Sequence, residues 1–253
     1  MATIEDMLGK PYSAAQELAT SGKYAEAVAA FTVAISLGEN DARCRVGRGL
    51  ANQHLGNHSG ALVDFDHVIS SHPTWTGAFT AYYSRAISRQ ALGRSRDAIS
   101  DCDEAIKRNS LLPDAYYLRS TLHAALGEVE AAQNDIDCAL QIAPNFQDAH
   151  FMRGSLCYIQ GQYESAVAAF TRAIQNSSGV GVPIQECFFR RGLAFQQFGK
   201  HVVAILDFTK AIEADFNNSG SYLRRSWSYH MIGKYELAEA DMKTANELLN
   251  SKI

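Results

Sequence analysis

The sequence predicts an all-α solenoid, an α-helical array of about seven antiparallel helix pairs. Three observations carry this. Glycines recur at 22, 56, 93, 127, 161, 199 and 233, with spacings of 34, 37, 34, 34, 38 and 34 residues. A near-constant period of that size marks repeated supersecondary units rather than one globular core. With each unit numbered from 1 to 34 and the turn glycine at position 15, small residues hold two columns. Position 8 reads Ala15, Gly49, Ala86, Ser120, Gly154, Gly192 and Ser226, and position 20 is alanine throughout, from Ala27 to Ala238. Such columns mark where two helices approach most closely, since a larger side chain there overpacks at a cost of ~1–3 kcal/mol. Aromatics at positions 4, 17 and 24 fill the remaining space, and each pair buries its apolar stripe only when a neighbour stacks on it.

The units follow in order. After an extension over 1–7, the first spans 8–41, with helices near Pro11–Ser21 and Tyr24–Leu37. Pro11 suits a first helical turn, where its missing N–H costs nothing. This unit departs from the pattern, as terminal repeats do. The second spans 42–75, and Pro73 stops its second helix. Thr76–Ala78 are additional, and the third and fourth units follow over 79–112 and 113–146. The fifth, 147–180, is the most regular: its turn is Gly161-Gln162-Tyr163, followed by Ala166, Phe170 and Ala173. Gly181–Ile184 are additional, inside the strongest loop signal of the chain, Asn176 to Pro183. Both insertions read either as a tolerated loop or as a local change of twist. The sixth and seventh units cover 185–218 and 219–250, leaving a tail over 251–253.

The letters Gly161-Gln162-Tyr163, Ala166, Phe170 and Ala173 resemble the tetratricopeptide repeat. So do Gly233-Lys234-Tyr235 with Ala238 and Ala245, and Gly22-Lys23-Tyr24 with Ala27, Phe31 and Ala34. Each motif alone is degenerate, and seven in phase over about residues 8–250 make the assignment specific. The resemblance implies a right-handed superhelix, a non-enzymatic scaffold or adaptor for protein partners, and a concave groove lined by the first helices. The groove-facing positions carry Tyr83, Ile87, Tyr117, Phe151, Phe189, Arg190, Leu193, Gln197, Arg224 and Trp227. Aromatics flanked by polar groups suit capture of an extended or helical peptide. The competing reading is that packing between repeats buries much of this stripe. Gln196 and His230 would add polar anchors. The resemblance also covers repeats that clamp the acidic C-terminal tails of chaperones with Lys, Asn and Arg at fixed positions. No three consecutive units here match that set, so this mode is disfavoured.

The most regular polar feature is arginine at position 7, from Arg48 through Arg85, Arg119, Arg153 and Arg191 to Arg225. Position 23 carries Asp64, Asp101, Asp135, Asp207 and Asp241. Pairing within a unit accounts for five couples and leaves only Arg153 without its aspartate. The ladder therefore reads as structural ion pairs between the two helices of a unit, against a phosphate or carboxylate ligand as the alternative. Arg153 is the member free for another task.

Composition narrows the function classes. The 253 residues carry a formal charge of −4, which gives no general pull toward nucleic acid or anionic membrane. No apolar run approaches the ~20 residues of a membrane span. The N-terminus lacks a secretory pattern, and an odd set of five cysteines without a Cys-x-x-Cys pair favours a reducing compartment. The expected location is the cytoplasm, with a ciliary or other cytoskeletal assembly as the alternative, and the Asn-x-Ser matches at Asn57, Asn176 and Asn217 read as chance. Eight histidines show no metal-ligand helical spacing, so neither metal nor cofactor is expected. No nucleophile elbow or phosphate-cradling loop occurs, and no catalytic residue is assigned. The runner-up function is a self-assembling structural subunit that docks by its convex face or by its C-terminal repeat, where Leu248 and Leu249 lack a following helix.

Overall fold

Small residues at a fixed period let helices lie back to back, and the chain does this within each of its two units. The computed structural model describes residues 11–250. The predicted extension over 1–7, the start of the first unit and the tail over 251–253 lie outside them. Among the described residues there are fourteen α-helices and no strand. Two units are delineated, Met1–Gly127 and Glu128–Ile253.

The first unit holds α1 (Pro11–Thr20), α2 (Tyr24–Ser36), α3 (Asp41–His54), α4 (His58–Ser71), α5 (Ala78–Ala91), α6 (Ser95–Arg108) and α7 (Pro113–Ala125). Hairpins form from α1 with α2, α3 with α4 and α5 with α6. Each packs on the next helix in the chain, and α7 lies on α6. The second unit holds α8 (Val129–Ile142), α9 (Gln147–Ile159), α10 (Tyr163–Gln175), α11 (Ile184–Gln197), α12 (His201–Ala214), α13 (Ser219–Met231) and α14 (Tyr235–Asn250). Its hairpins are α9 with α10, α11 with α12 and α13 with α14, and α8 packs on α9.

The turn glycines do what their spacing predicts. Gly161 has φ 75°, a left-handed conformation that costs glycine nothing. Its N–H donates to Tyr158 O at 3.0 Å, and the N–H of Gln162 donates to Cys157 O at 2.9 Å. This paired arrangement satisfies the last carbonyls of α9 and reverses the chain.

The small position 8 meets the aromatic position 24 face on. A Cβ at Gly49 would stand 2.6 Å from the Phe65 ring, and one at Gly154 or Gly192 would stand 2.7 Å from Phe170 or Phe208. Glycine at position 8 therefore accompanies phenylalanine at position 24 in these three hairpins. In the first hairpin position 8 is Ala15, and the Phe31 ring is met instead by Gly47 of α3, where a Cβ would collide with it. Phe31, Phe65, Phe170 and Phe208 are all fully buried, each contributing about 1.5–3 kcal/mol of apolar burial.

The second insertion is clasped rather than loose. Gln147 Nε2 donates to Val182 O at 2.6 Å, and Val182 N–H donates to Asp148 Oδ1 at 2.8 Å. The first turn of α9 thus holds the connection that leads into α11.

Candidate functional site

Four Arg–Asp pairs of the ladder form within their hairpins, with an added set of contacts. Arg48 donates from Nε and Nη2 to the two carboxylate oxygens of Asp64, at 2.9 and 2.6 Å. Arg191 does the same to Asp207 at 2.8 and 2.7 Å, and Arg225 to Asp241 at 2.8 and 2.8 Å. Arg85 is forked onto Asp101, which also accepts from Arg89 Nη1 at 2.7 Å. Asp135 is buried in α8.

The remaining guanidinium nitrogen reaches back into the preceding helix. Arg48 Nη1 donates to Thr32, Arg191 Nη1 to Thr171 and Arg225 Nη1 to Thr209, at 3.0, 3.0 and 2.9 Å. Arg85 Nη1 reaches Asp66 at 2.6 Å, Arg119 pairs with Asp103 and Arg153 with Asp137. The acceptors all fall at position 25. Arg153 is therefore not free, correcting the reading that its missing position-23 aspartate releases it. Arg48, Arg85, Arg191 and Arg225 each spend Nε, Nη1 and Nη2 on protein acceptors, which leaves little for a ligand anion.

The first helices of successive hairpins touch one another within each unit: α1, α3, α5 and α7 in the first, and α9, α11 and α13 in the second. Their aromatic row is half-buried rather than free. Tyr83 and Ile87 on α5 lean on the cluster of Ala86, Cys102, Leu118 and Leu122. Burial pushes the Tyr83 hydroxyl up to about 12, with Asp114 adding to it. Tyr117 on α7 is half-buried. Phe151 tilts against Phe170 at 5.5 Å between ring centroids, and Phe189 against Phe208 at 5.9 Å. Leu193 is half-buried as well. Each ring is thus half-buried, with Phe151 and Phe189 resting on core phenylalanines.

The polar positions sort differently. Arg190, Gln197 and Arg224 are exposed, and Arg190 pairs along its own helix with Glu186 at 2.6 Å. Gln196 is buried and donates to Arg224 O and Ser228 Oγ, both at 2.6 Å, so it joins α11 to α13 and is not an anchor for a ligand. His230 stacks edge-on against Tyr235 at 5.1 Å.

Trp227 differs from its neighbours in being 45% exposed. It contacts His201 edge-on and, with His230, Tyr235 and Met242, lines a cavity of 410 Å³ on the last hairpin. Met242 stands in the register of the buried core phenylalanines, yet it is 44% exposed.

His150 is buried, and its Nε2 lies 2.8 Å from Pro144 O. Burial holds its pKa below the usual imidazole value. Across a hairpin rather than along one helix, Asp41, His67 and His72 converge at one end of α3/α4. Four cysteines are buried, and Cys138 is half-exposed.

A family model for the tetratricopeptide repeat matches residues 12–67, 83–145 and 122–180, more than half of the chain. The chain belongs to the tetratricopeptide-repeat family. Solved structures share this fold at low identity. A tetratricopeptide repeat protein from Parabacteroides merdae is 19% identical, with a TM-score of 0.67 over 95% of this chain and 92% of that one. YrrB, described as a tetratricopeptide repeat protein with an unusual peptide-binding site, is 18% identical, with a TM-score of 0.62 over 73% and 91%. MamA from Desulfovibrio magneticus is 17% identical, with a TM-score of 0.63 over 68% and 96%. No curated protein matches the sequence. At these identities the structures establish the tetratricopeptide solenoid fold and nothing finer. Among the described residues no helix is long and apolar enough to cross a membrane.

Two features of this tetratricopeptide array escaped the sequence reading. The position-25 acceptors were signalled by the Asp-x-Asp spacing of Asp64/Asp66, Asp101/Asp103 and Asp135/Asp137. The Asp41, His67 and His72 group had no such signal, because its members lie 26 and 31 residues apart across a hairpin.

Proposed function

We propose that this tetratricopeptide-repeat chain is a non-enzymatic interaction scaffold that captures a peptide or helix of a partner protein along its first helices. The observation that carries this is the row Phe151, Phe189 and Leu193 on neighbouring first helices, each half-exposed over a rigid core. A ring already held by Phe170 or Phe208 loses little conformational freedom when a ligand lands on it, which is how anchor residues reach high affinity. Exposed Arg224 and Gln197 beside the row supply hydrogen-bond donors for backbone carbonyls or an acidic side chain. In the first unit Tyr83, Ile87 and Tyr117 offer a second row of the same kind. The proposal keeps the seven repeats with the boundaries read from the sequence.

YrrB's description supplies a precedent for peptide capture within this fold, at an identity too low to transfer its site. The test is selection of a displayed peptide library on the purified chain, followed by titration of an enriched peptide. Phe151→Ala with Phe189→Ala should weaken that peptide at least tenfold while circular dichroism shows unchanged helicity. Enriched peptides that bind the double variant as well as the parent would defeat this site.

The second reading is docking through the last hairpin, either onto a second copy or within a larger assembly. It is favoured by the cavity around Trp227 and by the exposure of Met242 at a core register. Sedimentation across a hundredfold concentration range separates the two. A chain that stays monomeric, and loses no binding in Trp227→Ala, leaves the first reading alone.

A further inference from the structure

We propose that Asp41, His67 and His72 bind a divalent transition-metal ion of the zinc class and thereby staple the α3/α4 hairpin. Asp41 is the first residue of α3, His67 lies late in α4, and His72 follows the end of α4. The Nε2 atoms of both imidazoles sit 3.1 Å from one and the same oxygen, Asp41 Oδ2. The three ligand atoms lie within 4.8 Å of one another. In a tetrahedral zinc shell with bonds of ~2.0–2.1 Å, neighbouring ligand atoms stand about 3.3 Å apart. The histidine-to-carboxylate edges already have almost that length. Small ring movements would seat an ion on this face and leave a fourth position for water.

The donor set decides which ion fits. Two imidazole nitrogens and one carboxylate oxygen suit zinc, copper or nickel, whereas magnesium and calcium need a shell of oxygens. The side chains of Asp41, His67 and His72 are 31%, 40% and 36% exposed, so an ion can reach them without unfolding the hairpin. Ligation needs neutral rings with the proton on Nδ1. Nε2 of each ring, which faces Asp41, is then the metal-binding atom.

Arg45 is the neighbouring charge that acts against a cation. Its Nε donates to Asp41 Oδ1 at 2.7 Å, on the oxygen the metal does not need. That contact fixes the carboxylate plane, as outer-shell partners of metal ligands do. Its guanidinium also stands 3.7 Å from Asp64 Oδ1, so part of its charge is already met by a second carboxylate. The ligands come from both helices at the end of the hairpin away from Gly56. Binding therefore favours the folded hairpin by mass action.

The test uses the whole chain, reduced and stripped of metal, titrated with cobalt(II) and then zinc. One equivalent of cobalt should give visible d–d absorption without a near-ultraviolet thiolate band, and zinc should displace it. His67→Ala with His72→Ala should weaken binding at least tenfold, and His67→Gln with His72→Gln should do the same while keeping side-chain polarity. His230→Ala should bind as the parent does. Added zinc should raise the melting temperature of the parent and of His230→Ala, but not of the double variants. A thiolate band, equal affinity in the glutamine variant, or magnesium binding as well as zinc would each overturn the proposal.

Discussion

Gly154→Ala tests the packing rule on which the whole array depends. The new Cβ would stand 2.7 Å from Cδ1 and Cε1 of Phe170 and 2.9 Å from Cγ. Favourable carbon contacts lie near ~3.5–4.0 Å, so the ring must retreat by close to an ångström. It has little room: Phe170 is fully buried and packs against the tilted Phe151 ring. Overpacking of this kind costs about 1–3 kcal/mol. Alanine in a helix interior returns about 0.5–1 kcal/mol relative to glycine. The net expectation is a loss of up to about 2 kcal/mol, unusual for a substitution that raises helix propensity. A double-mutant cycle with Phe170→Leu removes the propensity term, because it is common to both backgrounds. The coupling should be about 1–3 kcal/mol, with Gly154→Ala tolerated or stabilising once the ring is gone. Urea unfolding followed by circular dichroism reads all four corners. A coupling near zero, or a Gly154→Ala protein more stable than its parent, would refute the reasoning.

Other outcomes follow from the same contacts. Asp101→Ala should cost about 3–5 kcal/mol, because it strands Arg85 and Arg89 around a buried site. Asp66→Ala, whose carboxylate is 58% exposed, should cost no more than about 1 kcal/mol in the same urea assay. Burial depresses the folded-state pKa of His150, so the unfolded chain takes up its proton first. The stability this histidine contributes is present above the ordinary imidazole value of about 6.5 and is lost as pH falls through the folded value. His150→Gln should flatten the decline of melting temperature on acidification. Burial pushes the thiols of Cys44 and Cys187 up to about 11. Iodoacetamide on the native chain at neutral pH should therefore modify half-exposed Cys138 well before Cys44, Cys102, Cys157 or Cys187, as peptide mass mapping would show.

The helical hairpins were legible because their determinants are local. A turn glycine and an alanine at position 20 each act within one or two turns, and both keep the period. The Arg–Asp rungs were legible because both columns sit in one repeat. Contacts one hairpin back were not, because position 25, the column that makes them, holds aspartate in some units and threonine in others. That is why Arg153 read as an orphan although Asp137 meets it. The aromatic row was found by register, but register cannot report that Phe151 and Phe189 lean on Phe170 and Phe208. Burial there depends on the tilt of two helices, which no single residue encodes. Trp227 shares the register of Leu193 and differs from it through the cavity it lines on the last hairpin. The Asp41 group is a product of hairpin closure alone.

The backward reach of the arginines makes the seams between neighbouring hairpins chemically unequal. Arg48, Arg191 and Arg225 cross theirs to a neutral threonine, whereas Arg85, Arg119 and Arg153 cross to aspartates that stand largely in water. Mobile ions screen exposed charge pairs and leave hydroxyl contacts almost untouched. Raising ionic strength should therefore loosen the seams at Asp66, Asp103 and Asp137 while those at Thr32, Thr171 and Thr209 hold. Amide exchange would then quicken first along the middle helices, giving the array a salt-set pattern of pliancy written by which of two side chains occupies one column.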